Sequence, residues 1–99
     1  MMLIRFPGAV DWYYANHVFR DVVAACDGKT DDAVRHTLFV GGAHGFLDID
    51  EMDHIEAASI MHAISGAARR LRETRAEERD SYLRAIDELI LLADKTRAT

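Results

Sequence analysis

The chain has a single cysteine, a single proline, six glycines, two lysines among its twelve basic residues, and no apolar run approaching a membrane span. Each scarcity removes a class. One cysteine, Cys26, cannot close an internal disulfide, which excludes a cystine-stapled secreted scaffold and suits a reducing compartment. Too little proline and glycine is present for a collagenous or low-complexity chain. Without about 18 consecutive apolar residues there is no candidate spanning helix. The start, with one basic residue and five apolar ones before Pro7, is expected to be too short for a signal-peptide core. Basic residues number 12 against 17 acids, for a formal charge of −5, which disfavours nucleic acid and anionic membrane surfaces as partners.

What is present describes a globular chain. Hydrophobic residues make up 49% and charged residues 29% of 99, enough apolar content for a core and too short for two. The expectation is one domain over residues 1–99, soluble and cytoplasmic.

Hydrophobic periodicity suggests helices. Trp12, Ala15, Val18, Phe19, Val22, Val23 and Cys26 share a broad face at helical spacing, with Asp11 as a suitable cap and Gly28 just beyond the end. Ala57, Ile60, Met61, Ile64, Ala67, Ala68 and Leu71 form a second stripe, and Tyr82, Leu83, Ile86, Leu89, Ile90 and Ala93 a third. Continuing the second seam past Leu71 lands on Arg75 and Glu78, so a turn near 72–75 is expected, with Thr74 and Glu77 spaced as a capping box. Residues 30–49 are ambiguous. Thr30, Asp31 and Asp32 can start a helix to about Val40 that buries Val34, Leu38 and Phe39, yet residues 37–40 favour a strand.

These patterns predict an all-α domain with helices near 11–27, 31–40, 50–72 and 75–95, the last two packed as an antiparallel hairpin. The alternative is α+β, with a three-stranded sheet from residues 2–6, 36–40 and 45–49.

No catalytic or cofactor motif is assembled. Glu51 and His54 have the Glu-x-x-His spacing of carboxylate-bridged metal bundles, but no second such pair exists. His54 and His62 lie about 12 Å apart along a helix, too far to share one ion unaided. The segment from Asp48 fails the calcium-loop pattern at three positions, and Gly41-Gly42-Ala43-His44-Gly45 lacks the residues that follow a phosphate loop. Cys26 and His17 fall on different faces of the expected first helix. Residues 69–79 hold five arginines and three glutamates, a solvated, ion-paired stretch. No catalytic residue, metal ligand or cofactor is therefore assigned.

The remaining signals point to binding. Asp48, Asp50, Glu51, Asp53 and Glu56 are five acids with no base among them, a dipole-stabilised helix start or a docking patch for a cationic surface. Tyr13 and His17 are a second expected contact, since tyrosine is enriched in binding hot spots. In size and charge the chain is similar to immunity proteins and antitoxins that block basic nuclease toxins, although it shares no motif with them. The expectation is a non-enzymatic, acidic protein-binding module that occludes a basic partner. Two alternatives stand beside it: a small metal- or ligand-binding protein or enzyme using His36, His44, His54 and nearby acids, and a structural homo-oligomeric subunit.

Overall fold

The computed structural model describes residues 1–97. The chain runs β1 (Met2–Phe6), β2 (Val10–Tyr14), α1 (Asn16–Ala24), α2 (Asp32–His44), β3 (Phe46–Asp48), α3 (His54–Thr74) and α4 (Asp80–Arg97). This overturns the all-α expectation: the fold is α+β, with a mixed sheet in the order β2-β1-β3. The sheet also differs from the anticipated one. Strands are present at the expected 2–6 and within 45–49, but the remaining strand is residues 10–14, and residues 36–40 lie inside α2.

The error has a physical cause. Trp12 falls on the apolar stripe of a helical wheel, but Val10 to Tyr14 obeys period two as well, with Trp12 buried, Tyr14 half-buried, and Asp11 and Tyr13 exposed. Aromatic and β-branched residues pack well on a pleated surface, and strand pairing decides between the two periods. Residues 7–9 close the hairpin, with Gly8 at φ 87° and Ala9 at φ 58°, so that Phe6 stands opposite Val10. Asp11 is consequently a strand residue and no cap. The helix starts after Ala15, without a side-chain cap.

The second helix is capped by Asp31, which accepts from the Ala33 N–H at 2.7 Å. It runs past Val40 because Gly41 and Gly42 are tolerated where the helix is pressed against its neighbours. A Cβ on Gly41 would lie 3.2 Å from the Leu47 side chain. Gly45, at φ 76°, ends the helix by donating to the Gly41 carbonyl and leads directly into β3. That strand pairs parallel to β1, Leu3 opposite Phe46 and Arg5 opposite Asp48.

The expected hairpin of α3 and α4 is present, with the turn at 75–79, later than anticipated. Asp53 caps α3 by accepting from the Ile55 and Glu56 N–H groups. Thr74 makes no capping box; its hydroxyl donates back to the Leu71 carbonyl at 3.0 Å. Ile60, Ile64, Ala68 and Leu71 of α3 and Ile86, Leu89 and Ala93 of α4 are buried in the core. Arg72 pairs with Asp87 at 2.8 Å, and Asp94 takes both Arg69 and the Ser65 hydroxyl.

The helices cover one face of the sheet. Met2, Ile4 and Phe6 of β1, Trp12 of β2 and Leu47 of β3 all point into that layer and are buried. The Trp12 indole N–H donates to the Ala85 carbonyl at 2.9 Å, tying β2 to α4. No helix among the described residues is long and apolar enough to cross a membrane.

Candidate functional site: the open face of the sheet

Because strand residues alternate, the face turned away from the helices carries Leu3 and Arg5 of β1, Asp11 and Tyr13 of β2, and Phe46 and Asp48 of β3. The registers align them in two rows. Tyr13 stands opposite Leu3, which stands opposite Phe46; Asp11 stands opposite Arg5, which stands opposite Asp48. Adjacent strands are about 4.8 Å apart, so each row spans about 10 Å. Tyr13 and Phe46 are 58% and 43% exposed, large apolar groups that the core leaves uncovered. Arg5 links the rows. Its guanidinium pairs with Asp11 at 3.3 Å and lies 5.9 Å from the Phe46 ring centroid.

The acidic segment continues from the end of this face. Asp48 is the last residue of β3, and the Asp50 carboxylate accepts from the Gly8 N–H at 3.0 Å, fastening the segment to the β1–β2 turn. Three of the five acids thus serve the backbone: Asp48 accepts from the Glu51 N–H, Asp50 clamps the turn, and Asp53 caps α3. Glu51 and Glu56 are exposed, and their carboxylates meet no basic side chain among the described residues. The structure therefore brings Tyr13 onto one surface with Asp48, and the register adds Leu3, Arg5, Asp11 and Phe46 to them. The sequence pattern did not single out those four. The available signal for Phe46 was the stretch 36–47, twelve residues without a charged side chain.

His17 is not part of this face. It lies in the first turn of α1 and stacks on Tyr82, with ring centroids 6.1 Å apart. There an open cleft of about 460 Å³ is lined by Tyr14, His17, Arg79, Ser81 and Tyr82. Its phenols are committed elsewhere: Tyr82 donates to Asp21 at 2.6 Å, and Tyr14 donates to Glu88. Burial and the bond to Asp21 hold the Tyr82 hydroxyl well above the ordinary phenol range. The bond to Glu88, with burial, raises Tyr14 likewise. Both phenols are fixed as neutral donors, the opposite of an activated acid or base.

The other histidines disperse. His36 and His44 line a shallow cleft of about 530 Å³ between α2 and β3, together with Val40, Phe46 and Asp48. His54 opens α3, outside that cleft, and His62 lies further along the same helix. No group of three or more His, Cys, Asp or Glu side chains able to hold a metal ion occurs among the described residues. Cys26 is half-buried after α1, and burial pushes its thiol up, against the pull of Arg35 and Arg70.

Comparison with known proteins adds no relative: no family model, curated protein or solved structure matches the chain.

Proposed function

We propose that the protein is a binding module that masks a basic surface of another protein, using the open sheet face and the acidic segment at its end. The observation that carries this reading is the cross-strand row Tyr13–Leu3–Phe46 beside Asp11 and Asp48. Uncovered aromatic groups at the centre of a surface are the usual energetic anchors of an interface, and surrounding charges select the partner and speed its approach. Flanking carboxylates, a free Glu51 and a net charge of −5 select a cationic partner. Nucleic acid fits poorly, since the same aromatic row with these acids would repel phosphates. The proposed mechanism is occlusion: the module covers the partner's working surface and performs no chemistry. An immunity- or antitoxin-type inhibitor of a basic enzyme is the specific form of this proposal.

The test compares wild type with two exposed-site variants in affinity capture from the native cell. Tyr13→Ser with Phe46→Ser removes the aromatic anchors, and Glu51→Lys reverses a carboxylate that supports no backbone group. A protein with a basic surface is expected to be retained by wild type and lost by the aromatic variant. With that purified protein, Glu51→Lys should slow association, and affinity should fall as salt rises past about 0.1 M, where the Debye length is about 10 Å. Retention that is indifferent to both variants would overturn the assignment of this face.

A further inference from the structure

The two edges of the sheet are not equivalent. At the β3 edge α2 lies close, and a Cβ on Gly41 would sit 3.5 Å from the Phe46 carbonyl oxygen. The β2 edge has no such cover among the described residues, and Val10 and Tyr13 on it are 41% and 58% exposed. Which of its groups are free follows from the ladder. Leu3 donates to the Gly45 carbonyl and Arg5 accepts from the Ile49 N–H, so these two residues turn their backbone toward β3. Met2, Ile4 and Phe6 then turn theirs toward β2 and meet Tyr14, Trp12 and Val10. Asp11 and Tyr13 are left facing outward, two N–H donors and two C=O acceptors with no partner among the described residues.

Exposed strand edges are ordinarily blunted by lysine, proline, a bulge or a covering element. Val10-Asp11-Trp12-Tyr13-Tyr14 has none of the first two and pairs with β1 at all five positions without a bulge. Its one charged residue, Asp11, is engaged with Arg5.

We infer that β2 pairs antiparallel with β2 of a second copy of the chain, about a two-fold axis at Trp12, to form a continuous six-stranded sheet. The register is set by the free groups. Centred on Trp12, Asp11 of each copy stands opposite Tyr13 of the other, and this pair exchanges both N–H···O bonds. All four outward groups of each copy are then satisfied by four bonds in total, and each residue keeps its own face of the sheet. Centring on Asp11 or Tyr13 would set that residue opposite its own copy and leave outward groups unmatched. The Trp12 register also separates the two Asp11 carboxylates and lays each beside a tyrosine. Side chains add to the backbone bonds. Tyr13 extends the apolar row toward the second copy, and Val10, also exposed, comes opposite the half-buried Tyr14. Below the sheet Glu88 reaches Tyr14 from α4, and Leu91, 62% exposed, lies one turn further along that helix. Pairing through the edge leaves the open face accessible, so this inference stands or falls independently of the masking reading.

The test is the mass and amide exchange of the full chain. Light scattering should move from 11.1 kDa toward twice that value as concentration rises to about 1 mM, where even a dissociation constant of that size puts half the chains in dimers. Over the same range the Asp11 and Tyr13 amides should become protected from hydrogen exchange, since only the second copy bonds them. Tyr13→Pro removes an outward N–H without touching the β1 ladder and should hold the chain at 11.1 kDa. A monomeric mass at every concentration would overturn the inference, and so would a dimer whose Asp11 and Tyr13 amides exchange freely. The exchange measurement on wild type decides the matter even where Tyr13→Pro fails to fold.

Discussion

Two chemically identical substitutions should move stability in opposite directions. Gly66 lies midway along α3, where glycine costs about 0.5–1 kcal/mol relative to alanine because the unfolded chain has more freedom to lose. A Cβ there would find the Arg70 guanidinium at 3.7 Å as its nearest neighbour, an ordinary contact that asks nothing to move. Gly66→Ala should therefore stabilise by about 0.5–1 kcal/mol. For a domain of this size, each 1 kcal/mol is worth about 4–8 °C in Tm. Gly45 is the counterpart. It holds φ 76° between α2 and β3, and a Cβ would approach the Met1 carbonyl oxygen to 3.2 Å. The left-handed conformation alone costs a side-chain-bearing residue about 1–2 kcal/mol, so Gly45→Ala should lower Tm by several degrees. Thermal unfolding followed by circular dichroism, with urea titrations to confirm an unchanged m-value, reads both. A loss of stability in Gly66→Ala would mean that the middle of α3 is packed more tightly than described. A Gly45→Ala variant within about 0.5 kcal/mol of wild type would refute the left-handed link into β3.

Further outcomes follow from the same contacts. Ile64→Ala and Ile86→Ala, each truncating a side chain with no exposed surface, should cost about 2–5 kcal/mol in urea unfolding, and losses under about 0.5 kcal/mol would displace them from the core. Asp53→Ala removes the acceptor for two N–H groups and should cost about 0.5–2 kcal/mol, whereas Asp53→Asn should retain most of the stability. Because folding raises the Tyr82 and Tyr14 hydroxyls above their ordinary value of 10.0, their stabilising effect is complete below that pH. Above it the unfolded chain gives up protons that the folded chain keeps, so stability falls as pH rises. Tyr14→Phe with Tyr82→Phe should flatten that alkaline decline in urea midpoints, and an unchanged slope would show that other groups cause it. Inserting Gly-Gly between Ala76 and Glu77, inside the turn at 75–79, should leave the fold intact, as unfolding would show the α3–α4 connection to be structurally committed.

Charge reversal at Asp50 and Asp53 looks, from sequence, like the natural probe of the acidic segment. The structure makes it a poor one. Both carboxylates hold backbone donors, at the β1–β2 turn and at the start of α3, so reversal would damage local structure before any binding was read. Glu51 is the residue that isolates charge from structure.

The sequence by itself determined the parts in which local periodicity and burial agree. The stripes on α3 and α4 run for several turns and admit a single face, and the acids before α3 can only begin it. The hairpin and its core were therefore legible, as was the net charge of −5. Over residues 10–14 and 36–46 the local patterns satisfy more than one structure. Trp12 lies on an apolar stripe at either period, and residues 37–40 favour a strand yet continue a helix capped by Asp31. Tertiary pairing settled both: β1 needs a strand on each side to satisfy its backbone, and the Trp12 indole finds its acceptor on α4, seventy-three residues away. The same long-range pairing placed Tyr13, Leu3 and Phe46 in one row. Cross-strand neighbours are fixed by register between distant segments, and no spacing along the chain records it.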